Sequence, residues 1–590
     1  MKQFRIEINT EELANSRDII AKRLKMRDLH EGDNGFLLTL ELDKHFRADS
    51  YRIIGNDSHI TVIADSISNI LAGAGRVLYT SRFTQDGIVP TKIRGITTPD
   101  CRHRCVYIAS HFHTFYYNAP IENVFEYVEE LALMGVNQLH HPIPEINLNL
   151  NDKKAVDEAY DRCAAVLNKA GSLGMELMHT VPTSCTYFDV PEEAKAAPIT
   201  VDVHIRGNTG VKACPSTPKG REILDAQTRV GLSEMKKRGV DITYVSTFPY
   251  DEGGCGCEKC SPWGGNGFIR ASKRALEIAK EFYPDCKLIL GTWLFNEEEW
   301  VLLSESLAQE KWADIIMADS HTTFPRYPID NRVPGDLPLI AFPEITMWGL
   351  WPWGGYGASF FPERYTKIWR DTEGKLQGGR MYSEGIFEDL NKYVVAGLYR
   401  DYNNEPDAAV IEYGSYSFGC TQPEKLSEMV KCIEKNTVLN ADRCMRKIFM
   451  TAEDNPTDIT LAERAWELAQ EIDSALPEWG KKAWRWRMMY IRAFLDLHRY
   501  RNEKLHENPE AVEFMKELCD IYFCIEDYKI SKDPYHFKIR PPMVIYDEDF
   551  DLDDYPNVYS VKLGYNVGLI VNGKNAPMNE ELSDHAATQA

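Results

Sequence analysis

The stretch Val240-Asp241-Ile242-Thr243-Tyr244-Val245-Ser246-Thr247-Phe248-Pro249-Tyr250-Asp251-Glu252 is an apolar run that ends in two adjacent carboxylates. Its β-branched and aromatic residues predict a buried strand. The residues that follow, Gly253 and Gly254, give the backbone the freedom to turn at the end of that strand. Catalytic groups gather at such carboxyl ends in chains of repeating strands and helices. Asp251 and Glu252 are therefore the leading catalytic candidates.

Further strand-like runs lie on both sides of this stretch, and segments with helical spacing separate most of them. Eight such units in about 300 residues predict a (β/α)8 TIM barrel, whose usual size is about 250 residues plus insertions. An open doubly wound sheet is the alternative, but no Gly-rich phosphate loop follows the first strand. The predicted barrel strands are 105–110, 137–141, 176–181, 241–248, 287–294, 314–318, 337–342 and 379–383.

The chain of 590 residues is too long for one core, and its composition divides it into four parts. Residues 1–97 predict an α+β domain, in which strands 50–54 and 60–64 precede a helix. Residues 98–403 contain the barrel. Residues 404–535 predict a helical domain, and residues 536–590 predict a strand-bearing extension with a polar tail. The fold class is α/β, a TIM barrel with an N-terminal α+β domain and a C-terminal helical region.

The charge of the chain restricts its partners. A net charge of -22 and a pI near 5.2 should repel nucleic acids and anionic membranes, so neither is expected as a partner. The first nine residues are charged and strand-like, without the apolar stretch of a secretion signal, which predicts a cytoplasmic protein. The 14 cysteines are then expected to be reduced thiols or metal ligands rather than disulfides.

The carboxylate pair at the tip of the fourth predicted strand resembles that of glycoside hydrolase family 20, the β-N-acetylhexosaminidases. The resemblance implies that Glu252 is the general acid/base. It also implies that Asp251 orients the 2-acetamido group of the substrate, which acts as the nucleophile and retains the anomeric configuration. The N-terminal strand pair, with Asn56 and Asp57 at its turn, is similar to the non-catalytic domain that precedes the barrel in family 20 and in the α-glucuronidases.

Two further motifs are similar to sugar-binding residues of family 20. On the eighth strand, Tyr382-Ser383-Glu384 is similar to the Trp-x-Glu that holds sugar hydroxyls there, with Tyr382 in place of the tryptophan. Arg104, directly before the first predicted barrel strand, is the nearest counterpart of a first-strand arginine that binds sugar hydroxyls in that family. The resemblance thus implies a substrate-binding role for Arg104, Tyr382 and Glu384.

Aromatic and polar residues at other strand tips suit a sugar pocket, because sugar rings have apolar faces and polar edges. Tryptophan is often a core residue and histidine often has a structural role, so each position has that alternative. Three tryptophans within six residues, interleaved with Gly and Pro, favour a lined pocket. The additional substrate-binding candidates are His111, His113, Trp293, Glu344, Trp348, Trp351 and Trp353.

Cysteines directly follow the carboxylate pair. Cys255, Cys257 and Cys260 lie within six residues, and Cys214 is in the loop after the third predicted strand. Four thiolates suit a structural zinc ion, and they leave no open position for a catalytic water. We therefore expect a structural zinc and no catalytic cofactor. Free buried thiols are the alternative, because C-x-C spacing is less typical of zinc sites than paired C-x2-C.

Three functions fit these patterns. The first is a retaining β-N-acetylhexosaminidase-like enzyme that uses Glu252 and Asp251. The second is a two-carboxylate glycosidase of another specificity, similar to the α-glucuronidases, that pairs Glu252 with Glu344 or Glu384. The third is a non-catalytic glycan-binding protein. The expected partner in each case is an oligosaccharide or glycoside, and the aromatic-rich helical region leaves a homo-oligomer open.

Overall fold

The structure is a computed structural model that describes most of the chain. The described residues are 1–110, 115–142, 153–184, 186–187, 190–199, 211–250, 253–320, 323–345, 358–437, 458–501, 503, 508–523, 529–530 and 539–540. No helix in these ranges has both the length and the apolar composition that a bilayer crossing requires. Of the extension predicted over 536–590, only residues 539–540 are described.

The N-terminal part is a six-stranded sheet packed against two helices. The strand order is β2-β1-β3-β5-β4-β8, and α1 (Ala14–Lys25) and α2 (Ile67–Thr80) cover it. Asn56 fixes the β4–β5 turn by accepting hydrogen bonds from the backbone N–H groups of Ser58 and His59. The strands are β1 Gln3–Ile8, β2 His30–Glu31, β3 Phe36–Leu42, β4 Tyr51–Gly55, β5 His59–Ala64 and β8 Gly95–Thr97, and the separate pair β6 Arg82–Thr84 and β7 Gly87–Val89.

Eight parallel strands close into a barrel, which confirms the predicted fold. Residues that face its interior alternate along each strand with residues that face the surrounding helices. Cys105 and Tyr107, for example, belong to the interior cluster, whereas Val106 and Ile108 pack outside it. The barrel strands are β9 His103–Ile108, β10 Gln138–His140, β11 Glu176–Thr180, β14 Ile242–Thr247, β15 Lys287–Gly291, β16 Ile315–Asp319, β17 Leu339–Phe342 and β18 Gly378–Ser383.

Closure of the barrel depends on the pairing of its last strand with its first. The register of β18 and β9 runs from Gly378 opposite His103 to Ser383 opposite Ile108. Gly378 has a φ of 122°, and a Cβ atom there would lie 1.8 Å from the carbonyl oxygen of His103. Only glycine fits this position, because other residues would be both strained and in collision with the neighbouring strand.

Helices surround the barrel and continue beyond it. The α12 helix contacts α2 of the N-terminal part, while α14 packs on both α13 and α16. Two short pairs complete the structure, β12 Thr186–Tyr187 with β13 Val211–Lys212 and β19 Lys529–Ile530 with β20 Ile539–Arg540. The helices are α3 Phe115–Asn118, α4 Ile121–Leu133, α5 Lys153–Ser172, α6 Pro218–Lys237, α7 Gly267–Phe282, α8 Glu297–Gln309, α9 Tyr327–Asp330, α10 Pro362–Arg370, α11 Asp389–Arg400, α12 Pro406–Phe418, α13 Pro423–Asn436, α14 Ile459–Ala475, α15 Glu478–Lys481, α16 Trp484–Tyr500 and α17 Pro509–Phe523.

Buried charged groups join the N-terminal part to the rest of the protein. The Arg23 guanidinium group of α1 donates to the Glu130 carboxylate of α4 at 2.8 Å and to Glu129 at 3.2 Å. The Tyr79 hydroxyl donates to the other oxygen of Glu130 at 2.9 Å. The Arg27 guanidinium group lies 3.6 Å from the ring centre of Tyr416 in α12 and donates to its carbonyl oxygen at 2.7 Å. These contacts hold three parts of the chain together.

We predict that Glu130→Gln lowers the free energy of unfolding at pH 7 by about 3 kcal/mol, because the variant removes a buried carboxylate that faces several buried guanidinium groups. Burial opposes the charge of Glu130, but Arg485, Arg23 and Arg27 outweigh that effect and lower its pKa to about 2. The stabilisation is therefore complete above the ordinary glutamate pKa of 4.5 and is lost as the pH falls towards 2. Urea unfolding between pH 7 and pH 3.5 should show the wild-type and variant curves converging.

The matched control is Glu463→Gln, which removes an exposed partner of Arg501. It should cost less than about 1 kcal/mol. An equal loss in both variants, or a Glu130→Gln loss that does not change with pH, would contradict the assigned role of this carboxylate.

Candidate active site

The candidate site lies at the carboxyl ends of the barrel strands. The structure does not describe seven of the predicted site residues, so their arrangement stays a prediction. These residues are His111, His113, Asp251, Glu252, Trp348, Trp351 and Trp353. The described candidates at this end of the barrel are Trp293, Glu344, Tyr382 and Glu384.

The chain is anchored on both sides of residues 251–252. On one side, the Trp263 indole N–H donates to the carbonyl oxygen of Pro249, and the Tyr250 hydroxyl donates to the buried carboxylate of Glu299. On the other side, the Ser184 hydroxyl donates to the carbonyl oxygen of Gly253 at 2.6 Å. The φ of Gly253 is 85°, which suits the turn that ends this strand. Side chains therefore fix the chain directly before and directly after the carboxylate pair.

Glu344 is held at the tip of the seventh barrel strand. Its backbone bridges to Tyr382 of β18, where the Ile345 N–H donates to the carbonyl oxygen of Tyr382 at 2.9 Å. The Tyr365 hydroxyl donates to the carbonyl oxygens of Glu344 and Ile345 at 2.8 and 2.9 Å. These bonds fix the backbone of Glu344 directly beside Tyr382, as the barrel register requires.

Glu384 is buried at the tip of the eighth strand and accepts a hydrogen bond of 2.7 Å from the Tyr382 hydroxyl. The Tyr382 ring stacks on Tyr107 of β9, with ring centres 5.0 Å apart. Tyr382 also meets Phe342 of β17, edge to face at 5.8 Å. The structure thus brings Glu344, Tyr382 and Glu384 together, whereas Trp293 is half-buried and packs against the main hydrophobic core.

A fully buried ion pair supports the tip of the eighth strand from outside the barrel. The Lys392 ammonium group lies 2.8 Å from the Glu388 carboxylate and donates to the carbonyl oxygen of Gly385 at 2.7 Å. The Ser383 hydroxyl donates to the same carboxylate at 2.6 Å. Burial raises the pKa of Glu388, and it opposes the charge of Lys392, but the facing carboxylate outweighs this and raises the pKa of Lys392. The residues on both sides of Glu384 are therefore fixed.

Below these residues, inside the barrel, lies a fully buried arginine. The Nη1 atom of Arg380 donates to the Ser246 hydroxyl at 2.9 Å and to Nδ1 of His140 at 3.2 Å. Because Nδ1 accepts this bond, Nε2 of His140 carries the proton and faces the Thr180 hydroxyl at 2.9 Å. In the described part of the chain, Nε and Nη2 of Arg380 have no hydrogen-bond partner.

Burial lowers the pKa of Arg380 to about 10, so its charge persists at neutral pH. The ring centres of Phe248 and Phe342 lie 4.8 and 5.2 Å from its guanidinium carbon. A cation thus sits beneath the mouth of the barrel, between aromatic rings. Sequence analysis missed this residue. Arg380 could have been identified from its spacing. It lies two positions before Tyr382 on the same strand, so both side chains are on the same face.

Arg104 does not join this site. Its guanidinium group lies on the outside of β9 and pairs with Asp49 of the N-terminal part at 2.9 and 3.2 Å. It also donates to the carbonyl oxygens of Cys101 and Gly135 at 2.6 and 2.8 Å. Arg104 is 2% exposed and borders a small cavity between the N-terminal part and the barrel helices. We therefore assign it a structural role instead of the sugar-binding role that the resemblance implied.

The four predicted metal-ligating cysteines do come together. All four Sγ atoms lie within 4.8 Å of one another, with Cys214 at 3.8 Å from Cys257 and 3.9 Å from Cys260. Cys214 precedes α6, and Cys255, Cys257 and Cys260 belong to the loop between β14 and α7. Cys255, the first cysteine in this loop, comes three residues after Glu252 in the chain.

Neither a protein-family model nor a curated protein matches the chain. Solved structures do match it. A family 89 glycoside hydrolase from Clostridium perfringens, in complex with its substrate GlcNAc-α-1,4-galactose, matches with a TM-score of 0.57 at 13% identity. The match covers 87% of this chain and 64% of the other, so this chain spans less than two thirds of that enzyme.

Two further solved structures are similar. A family 138 glycoside hydrolase that targets the pectin rhamnogalacturonan II has a TM-score of 0.50 at 11% identity, over 88% of this chain and 74% of that one. A family 20 exo-β-N-acetylglucosaminidase from Vibrio harveyi has a TM-score of 0.47 at 11% identity, over 70% and 74%. At these identities the likeness shows the fold alone, and the family 20 match carries no argument for that family.

We predict that Arg104→Met and Asp49→Asn each reduce stability, and that their effects are strongly non-additive. Each variant removes one partner of the same partly buried ion pair. The double variant should therefore lose about 0.5–3 kcal/mol less unfolding free energy than the sum of the two single losses. Urea unfolding of the four proteins measures this coupling. If Arg104 bound sugar instead, Arg104→Met would raise KM for a substrate, whereas Asp49→Asn would leave KM unchanged. That outcome would contradict the structural role.

Proposed function

We propose that this protein is a glycoside hydrolase that cleaves bonds to 2-acetamido sugars, with Glu252 as the general acid/base. The observation that carries the proposal is the common mouth of the barrel, where strands seven and eight hold Glu344, Tyr382 and Glu384 side by side. Residues 251–252 follow β14 in the chain, and Pro249 and Gly253 on either side of them accept hydrogen bonds from the Trp263 and Ser184 side chains. The family 89 enzyme binds an N-acetylglucosamine disaccharide on a similar barrel, which supports the 2-acetamido sugar.

The residues at this mouth suit the hydrolysis of a glycoside. The reaction needs an acid that protonates the leaving oxygen and a second group that stabilises or attacks the anomeric carbon. Glu252 takes the first role. It gives its proton to the departing oxygen and then removes one from the incoming water. Tyr382 and Glu384 take the role of holding sugar hydroxyls, because a buried carboxylate and an aromatic ring match the polar edge and apolar face of a sugar.

The second group has two candidates. In the substrate-assisted mechanism, the acetamido oxygen of the substrate attacks the anomeric carbon, and Asp251 accepts a hydrogen bond from the acetamido N–H. This attack closes a ring within the substrate, between the acetamido group and the anomeric carbon, so no covalent glycosyl intermediate forms on the protein. Water then opens that ring. The adjacency of Asp251 and Glu252 in the sequence supports this mechanism, because a backbone turn at this point would bring both carboxylates to one site.

In the two-carboxylate mechanism, Glu344 either attacks the anomeric carbon, with Glu252 as the acid/base, or removes a proton from the attacking water, with Glu252 as the acid alone. The fixed backbone of Glu344 favours this candidate, because a nucleophile must be held within a few tenths of an ångström of its reactive position. Glu344 follows β17 and residues 251–252 follow β14, which is three strands away around the barrel. In this proposal the two carboxylates act on a sugar from different sides of the barrel mouth. Glu384 is the other carboxylate available for this role.

We predict that Glu252→Gln lowers kcat by about 10²–10⁴-fold on glycosides with poor leaving groups, because general acid catalysis contributes about that factor. Aryl glycosides with acidic phenols need less protonation, so they should lose much less activity. The assay compares both classes on α- and β-linked N-acetylhexosaminides. The control is Glu298→Gln, at an exposed position in the first turn of α8, the helix that follows the next barrel strand.

Full activity of Glu252→Gln on poor leaving groups would contradict this assignment. Binding of glycans without turnover by the wild-type protein would contradict hydrolysis and fit the glycan-binding alternative.

A substrate series separates the two mechanisms. Replacing the acetamido group with trifluoroacetamido weakens its oxygen as a nucleophile, so the rate should fall steeply if the substrate assists. The rate should stay nearly constant if Glu344 attacks. In that second case Glu344→Ala should lose activity, and added azide should restore it with formation of a glycosyl azide. Asp251→Asn should be the more damaging variant in the first case.

A further inference from the structure

The four-cysteine cluster has the dimensions of a metal site. Zinc–sulfur bonds are about 2.3 Å long, and a tetrahedron with such bonds has edges of about 3.8 Å between sulfur atoms. The distances from Cys214 Sγ to Cys257 Sγ and Cys260 Sγ are 3.8 and 3.9 Å. A disulfide would require about 2.05 Å, and all four residues are free thiols. We propose that Cys214, Cys255, Cys257 and Cys260 bind one zinc ion.

The local backbone presents the thiols as zinc ligands require. The N–H groups of Cys260 and Ser261 both donate to the carbonyl oxygen of Cys257, at 2.8 and 3.0 Å. This closed turn carries the C-x2-C pair 257 and 260. Cys214 comes from a different segment, so the site joins two loops. Across the described residues, no other group of His, Cys, Asp or Glu side chains converges in this way.

Polar groups around the sulfur atoms complete the site. Zinc with four thiolates carries a net charge of -2, which nearby donors must offset. The Ser216 N–H lies 3.4 Å from Cys214 Sγ, and the Ser216 hydroxyl lies 2.9 Å from Cys260 Sγ. The Arg270 guanidinium group lies 4.0 Å from Cys260 Sγ and donates to the Lys259 carbonyl oxygen at 3.2 Å. A cation and two donors therefore surround the thiolates.

The ion has a structural role. Four protein ligands saturate a tetrahedral zinc ion and leave no position for a substrate or a water. Binding releases the thiol protons and links the segment before α6 to the loop after β14. The same two regions also meet through the Gly256 N–H, which donates to the Ala197 carbonyl oxygen at 2.9 Å. If the proposed function holds, the ion also steadies the segment around Cys255, which follows Asp251 and Glu252 in the chain.

The metal content of the intact wild-type protein is the first test. Mass spectrometry of protein purified without added metal or chelator should find about one zinc per chain. A strong chelator should make cysteines 214, 255, 257 and 260 newly reactive towards iodoacetamide, as identified by peptide mapping, while buried cysteines outside the cluster such as Cys286 stay unmodified. Iron in place of zinc, or no bound metal with all four thiols reactive, would overturn the proposal. This test needs no variant and no activity assay.

Paired variants locate the site. Cys257→Ser should reduce bound zinc at least fivefold and lower the thermal midpoint, whereas Cys286→Ser, a buried cysteine outside the cluster, should keep the full zinc content. Substitution with Co2+ should give the intense visible bands of a tetrahedral tetrathiolate complex in the wild type and weaker bands in Cys257→Ser. Equal zinc contents in both variants would overturn the assignment. Zinc content is independent of turnover, so failure of the proposed glycosidase activity would leave this result intact.

Discussion

The buried ion pair of Glu388 and Lys392 is the constraint on which the mouth of the barrel depends. Neither side chain is exposed to solvent, and the Lys392 ammonium group also binds the Gly385 carbonyl oxygen. Two buried charges are stable only when each finds partners of good geometry. The tip of the eighth strand therefore has one conformation, and the position of Glu384 follows from it. Through the β17–β18 contact, the position of Glu344 follows as well.

Sequence periodicity predicted the barrel because its strands are short, apolar and separated by helical segments. Such apolar runs indicate burial. From sequence, the existence of a strand can be predicted more reliably than its first and last residues. The fourth barrel strand is an example. The sequence predicts it over 241–248, and in the structure β14 spans Ile242–Thr247. The turn at Asn56 could also be predicted, because the Asn56 side chain accepts a hydrogen bond from the backbone N–H group of Ser58.

The positions of two arginines could not be predicted in the same way. Arg104 lies opposite Gly379 in the β9–β18 register, and Arg380 lies opposite Cys105. A shift of one residue along a strand moves a side chain to the other face of the sheet. Strand limits are uncertain by more than that from sequence, so the pattern did not decide which arginine faces the interior. The meeting of Cys214 with the later cysteines could be predicted, because loops at the same barrel end are neighbours.

The Arg27–Tyr416 and Arg23–Glu130 contacts determine how this protein can be divided. Without residues 1–97, α4 would keep Glu129 and Glu130 side by side and lose Arg23, and α12 would lose the cation that covers Tyr416. A barrel produced by truncation would therefore expose apolar faces and leave Glu129 and Glu130 without the Arg23 charge. The N-terminal part should consequently be expressed and engineered together with the barrel and α12, as one cooperative unit.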